Sequence, residues 1–114
     1  MDANKTASEL KQKKCKPCEG GTEAMSESEA REMLQSVDGW ELADTTIKKK
    51  FKFDNFYETV AFVNAVAWIA NQEDHHPDLQ VSYGSCTVIY STHAIGGLSE
   101  NDFISAAKVD ALLD

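Results

Sequence analysis

Long apolar runs are missing from this sequence. No stretch approaches the roughly 20 residues that a membrane-spanning helix requires, so no membrane partner is expected. The opening residues, MDANKTASELKQKK, contain no apolar segment of the kind a secretory signal needs. Positive charge is scarce as well: 11 Lys and Arg stand against 19 Asp and Glu, a formal net charge of −8. A nucleic-acid surface needs the opposite balance, because neutralising phosphates takes a concentration of Lys and Arg. Cysteine occurs only three times, at Cys15, Cys18 and Cys86. An odd count without an export signal argues against a disulfide framework, and a reducing, cytoplasmic setting is the expectation. Histidine also occurs three times, yet two of the three are adjacent.

The chain of 114 residues suits one domain with a modest core. Residues 1–24 read differently from the rest. KTASELKQKKCKPCEGGTEA is rich in Lys, Glu, Gly and small residues with few large apolar side chains, so a flexible N-terminal tail is expected there and a folded domain over 25–114. Within that tail, CKPC has the spacing of a metal or redox pair. Two cysteines cannot complete a tetrahedral zinc site, and no βαβ pattern surrounds them, so an inert segment is expected.

From MSESEAREMLQSV onward the sequence becomes periodic. Ser26 and Glu29 form a capping-box signature, and Ala30, Met33, Leu34 and Val37 make one helical stripe that ends at Asp38-Gly39. WELADTTIKKKFKF predicts two strands turning near Asp44. In the second, Ile47, Phe51 and Phe53 alternate with Lys48, Lys50 and Lys52, the period of a sheet wet on one face. DNFYETVAFVNAVAWIANQ predicts the longest helix, capped by Asn55 with Glu58. Phe56, Val60, Val63, Ala67 and Ala70 form its apolar stripe, widened by Phe62 and Ile69, while Trp68 lies off it. LQVSY and CTVIYSTH predict a second strand pair with a hairpin at Gly84-Ser85, and Ser99 opens a last helix, ENDFISAAKVDALL. The order α-β-β-α-β-β-α, with strands in pairs, predicts an α+β fold: an antiparallel sheet with helices packed on one face.

In antiparallel strands the start of one lies beside the end of its partner. The turn EDHHPD, carrying His75 and His76 before Pro77, should therefore neighbour the segment YSTH that ends in His93. Three readings of the trio remain open. They are ordinary surface or capping groups; or they bind a metal, although adjacent side chains in extended backbone point apart and zinc ligands are usually two to five positions apart; or they transfer protons, since imidazole titrates near neutrality. Trp40 and Tyr83 are open between packing and contact with a ligand, and Cys86 reads as a small packed side chain.

Together DHHPDLQVSY, YSTH and GLSENDF resemble the pterin-4a-carbinolamine dehydratases. The shared elements are His-His-Pro at 75–77, an aromatic at Tyr83, a histidine at His93 and an acid at Asp102, and their order and spacing hold over the C-terminal two-thirds of the chain. The resemblance implies a four-stranded antiparallel sheet with helices, and assembly as a homodimer or homotetramer. It implies dehydration of 4a-hydroxytetrahydrobiopterin to quinonoid dihydrobiopterin and water, a step in tetrahydrobiopterin recycling, with no metal, redox cofactor or covalent nucleophile required. His75 and His93 would be the acid–base pair and His76 would mainly hold the pterin. Asp74, Ser91, Thr92 and the backbone near Ala94 would line the ring's polar edge. Asp102 has two readings, capping the last helix or supporting the site. One position departs from the pattern: where the family carries a charged residue, often Glu, four places before the first histidine, this chain has Asn71. An amide cannot supply the charge that a carboxylate would set beside an imidazole. Some relatives are instead dimerisation partners of transcription factors, so a non-catalytic pterin-binding or coactivator-type role is the alternative.

Overall fold

A computed structural model of the chain describes residues 7–13, 15 and 23–113. Its described elements are α1 (Ala7–Gln12), α2 (Glu27–Leu34), β1 (Glu41–Ala43), β2 (Thr46–Lys52), α3 (Phe56–Glu73), β3 (Asp78–Ser82), β4 (Ser85–Tyr90), a 3₁₀ turn (His93–Ile95) and α4 (Glu100–Ala111). The four strands form one antiparallel sheet in the order β1-β2-β4-β3. One face carries Ile47 and Phe51 of β2 and Cys86, Val88 and Tyr90 of β4, all buried with residues of the helices. Lys48, Lys50 and Lys52 stand exposed on the other. The fold is α+β with helices against one sheet face, as the strand pairing predicts. No helix among the described residues is long and apolar enough to cross a membrane.

Local sequence signals account for the helix starts. Ser26 Oγ accepts from Glu29 N at 3.1 Å while Ser26 N donates to Glu29 Oε1 at 2.9 Å. Asn55 Oδ1 accepts from Glu58 N at 2.9 Å. Each satisfies backbone donors that the first helical turn leaves without partners. The turn between β1 and β2 is held by Asp44 in the left-handed region, φ 54°, a conformation that Asp tolerates better than most residues.

The apolar stripe expected on α3 needs correction. The buried face of α3 is Thr59, Phe62, Val66, Ile69 and Ala70, turned by about one residue (roughly 100°) from the predicted stripe. Phe56 is 49% exposed, and Ala67 is exposed too. The helix is apolar nearly all round, so periodicity alone fixes its rotation poorly. A polar group breaks the tie: the Thr59 hydroxyl, fully buried, lies 2.9 Å from both Asn55 O and Tyr83 O, with one proton shared between the two carbonyls. Beyond the end of α4, Leu112 and Leu113 are exposed.

The tail expectation fails for the described part of residues 1–24. Leu10 is completely buried, and α1 lies along α4. One leucine can anchor a six-residue helix because burying such a side chain contributes about 1.5–3 kcal/mol. Cys18 and the remainder of the CKPC segment beyond Cys15 lie outside the described residues.

The lysine row also has an inward member. Lys49 shares the parity of Ile47 and Phe51, and its Nζ donates to Asp38 O at 2.7 Å and to Asp110 Oδ1 at 3.0 Å. Asp110 accepts from Trp40 Nε1 as well, at 3.0 and 3.1 Å to its two oxygens. Burial pushes the Asp110 carboxyl above its ordinary range, and Lys49 and Trp40 oppose that push. Trp40 is 5% exposed and belongs to the core.

Candidate functional site

The end of α3 turns sharply to deliver the histidine pair. Asp74 takes the left-handed conformation, φ 50°, and both its amide and that of His75 (3.1 Å) donate to Ala70 O. This closes the helix in the manner of an αL cap, and Pro77 then leads into β3. Asp78 pairs with Ile89 across the β3–β4 ladder, so the histidine turn sits beside the end of β4. That strand ends at Tyr90, three residues earlier than predicted, and His93 begins the 3₁₀ turn instead of closing a strand. Thr92 bonds back to Gly97, with Thr92 N donating to Gly97 O at 2.8 Å.

A cleft of about 540 Å³ opens here. His75, His76 and His93 all line it, together with Asp74, Ser91, Thr92 and Ala94. The expected meeting of the histidine turn with YSTH is therefore present in the fold. Cys15, Gln72, Glu73 and Asn101 line the cleft too, and sequence reasoning missed these four as wall residues.

The three imidazoles have unlike surroundings. His75 is 11% exposed at its side chain, and its Nε2 lies 2.7 Å from Asp102 Oδ1. Its ring stacks on Tyr90, with centroids 5.8 Å apart and planes 9° from parallel. His76 is exposed, with Nε2 3.4 Å from Asn71 Oδ1. His93 is exposed. Asn71 thus faces the second histidine, and it is not among the residues lining the cleft. Glu73 is directed elsewhere: Oε1 accepts from Cys15 N at 2.8 Å, and Oε2 lies 3.7 Å from Lys108 Nζ.

Asp102 is completely buried and serves both readings given to it. Its Oδ2 accepts from Ser99 N at 2.9 Å, the side-chain half of a capping box, and from Thr92 Oγ1 at 2.8 Å. With the Thr92 proton so committed, the 2.7 Å contact between Thr92 and Ser99 must run from the Ser99 hydroxyl to Thr92 Oγ1. A carboxylate can only accept, so with Asp102 ionised the proton on the His75–Asp102 bond sits on Nε2. The carboxylate therefore fixes the tautomer and ring plane of His75, an orienting role often given to a buried acid beside a working imidazole. Tyr90 supports the same ring from one side. Its burial raises the phenol well above the ordinary range, so it remains a neutral packing surface. Among the described residues no three His, Cys, Asp or Glu side chains converge as metal ligands.

The sequence profile of the pterin 4 alpha carbinolamine dehydratases matches residues 23–112. The chain is 59% identical over 106 residues to a provisionally named pterin-4-alpha-carbinolamine dehydratase of Nitrosomonas eutropha, covering 92% of this chain and 94% of that protein. A protein of Dechloromonas aromatica with the same provisional name is 50% identical over 109 residues, covering 96% of this chain and 97% of the relative. Among solved structures, the transcriptional coactivator/pterin dehydratase of Brucella melitensis is similar, with a TM-score of 0.76 and 32% identity over 80% of this chain and 99% of its own. A pterin dehydratase-like protein identified as a RuBisCO assembly factor shares the fold, with a TM-score of 0.55 and 24% identity over 64% of this chain and 84% of its own. By the extent of the profile match and the identity to these relatives, the chain belongs to the pterin 4 alpha carbinolamine dehydratase family.

Proposed function

We propose that the protein catalyses dehydration of 4a-hydroxytetrahydrobiopterin to quinonoid dihydrobiopterin and water, with His75 and His93 as the acid–base pair. The observation that carries this reading is His75, held by the buried Asp102, in the wall of a cleft that His76 and His93 share. The C4a hydroxyl leaves as water once one imidazole gives it a proton. The lone pair on the adjacent ring nitrogen forms the new C=N bond, and the other imidazole takes the proton from that nitrogen. Protons and electrons balance with no further reactant. With Nε2 committed to Asp102, Nδ1 is the nitrogen through which His75 would exchange a proton with substrate. Each well-placed transfer contributes about 10²–10⁴ in rate.

The other members of the wall divide by chemistry. His76, exposed and only loosely tied to Asn71, holds the pterin, while Asp74, Ser91, Thr92 and the backbone near Ala94 meet its polar edge. No cofactor enters this scheme. Self-association is part of the same proposal: Tyr57, Trp68 and Tyr83 are 84%, 65% and 68% exposed, an unusual outlay of aromatic surface for a solitary small domain. The non-catalytic alternative draws on the Brucella protein, whose name joins coactivator to dehydratase, and on the uncharged Asn71.

The experiment is to follow the 4a-hydroxypterin absorbance with and without the protein, beside a titration with 7,8-dihydrobiopterin. Faster decay together with saturable binding is expected. Binding without acceleration would favour the non-catalytic role, and neither result would remove the pterin reading.

A further inference from the structure

Cys15, in the wall of the cleft, belongs to a segment that lies before the family profile begins at residue 23. Leu10 seats that segment in the core, and polar ties follow along it. Lys108 Nζ donates to Lys11 O at 2.8 Å, Lys13 Nζ meets Glu100 Oε2 at 3.0 Å, and Cys15 N donates to Glu73 Oε1 at 2.8 Å. The Lys13–Glu100 pair is substantially exposed and contributes little. The Glu73 tie is different, because that carboxylate is only 7% exposed. Cys15 Sγ then lies 3.5 Å from Ser105 Oγ and 3.6 Å from Asn101 O, on the cleft. The anchors are telling: Glu73 is the last residue of α3, two before His75, and Asn101 adjoins Asp102. The strap thus touches both elements that carry the His75–Asp102 pair.

We propose that residues 9–13 and Cys15 act as a strap that contributes to one wall of the pterin pocket, and that Cys15 is the residue through which the strap sets the fit of the bound ring. This rests on the pterin reading of the cleft. Burial pushes the Cys15 thiol up to about 11; the Ser105 hydrogen bond works against that shift and the nearby Glu73 charge adds to it. The side chain is therefore a neutral thiol under working conditions, suited to contact and not to nucleophilic attack. It positions substrate; it does not react with it.

The test uses the full chain carrying Cys18→Ser, which leaves Cys15 and the fully buried Cys86. Alkylation by iodoacetamide at about pH 9, where some thiolate forms, is timed with and without saturating 7,8-dihydrobiopterin and located by peptide mass. Pterin should slow modification of Cys15 about tenfold or more, by covering it. In parallel, Cys15→Trp should raise KM and the pterin dissociation constant about tenfold, with a much smaller change in kcat. If Cys15→Trp does not fold, the labelling result decides. A parent that binds pterin yet labels equally fast with and without it would overturn the strap and leave the pterin reading intact. A parent that binds no pterin would remove both.

Discussion

Replacing Asp102 by Asn should separate the fold from the chemistry of the cleft. The carboxylate is fully buried and accepts three bonds, from His75 Nε2 at 2.7 Å, Thr92 Oγ1 at 2.8 Å and Ser99 N at 2.9 Å. An amide oxygen in the place of Oδ2 can still accept from Thr92 and Ser99. Its NH₂ then faces the Nε2–H of His75, donor against donor, and the imidazole escapes by moving its proton to Nδ1. The ring keeps its place, but the nitrogen offered to substrate has the opposite proton state. Charge-assisted bonds contribute roughly 1.5–3 kcal/mol against 0.5–1.5 for neutral ones. Losing that assistance three times should therefore cost about 3–4.5 kcal/mol of stability. The rate loss should be larger, about 10²-fold or more in kcat, because general acid–base catalysis at His75 is what fails. Denaturant unfolding gives the first quantity, the 4a-hydroxypterin absorbance the second, and imidazole ¹⁵N shifts report the tautomer. A folded Asp102→Asn protein with kcat within about threefold of the parent and Nε2 still protonated would refute the reasoning.

Leu10→Ala should destabilise the protein by about 2–4 kcal/mol in denaturant unfolding, because the side chain is completely buried; no loss would restore the flexible-tail expectation. Stability should also fall at alkaline pH. Burial raises the Cys15 thiol from 9.0 to about 11 and the Tyr90 phenol above 10.0, so the folded state holds both protons more tightly than the unfolded chain does. That stability is fully present below the unfolded pKa values and is lost as pH rises through the folded ones. Melting temperatures should be flat in this respect up to about pH 9 and decline above it; a melting curve unchanged to about pH 11 would contradict the burial of both groups. His76→Ala should raise KM more than it lowers kcat, since the residue holds the ring, whereas His93→Ala should lower kcat with KM little changed. Steady-state kinetics on the two variants would expose a reversed assignment.

Sequence legibility followed the range of the interactions. The caps at Ser26 and Asn55 were readable because partner and cap are three residues apart, and the strand pairs because alternation marks Ile47, Phe51 and the lysines. The gathering of His75, His76 and His93 on one cleft followed from antiparallel pairing, which sets neighbours without any side-chain detail. The rotation of α3 was not readable, because it depends on Thr59 reaching Tyr83 O across 24 residues of chain. Lys49 was overlooked although its parity matched Ile47 and Phe51, since its partner Asp110 lies 61 residues away. Cys15 and Glu73 were hidden for the same reason: their contact spans 58 residues and joins a segment of tail-like composition to the end of a helix. Asn71 was paired in sequence with His75, but the left-handed turn at Asp74 brings it to His76.

The central claim is that His75 and His93 carry protons in one reaction, and the double variant measures it most directly. The decay of 4a-hydroxytetrahydrobiopterin should be followed by stopped flow with the parent, His75→Ala, His93→Ala and the two changes combined. The account predicts acceleration by the parent and a loss of about 10²-fold or more in kcat for each single change. It also predicts a double change costing well under the product of the two losses, since groups acting on one proton inventory are not additive. Unaltered turnover in all three variants would contradict the account and make the histidine turn structural.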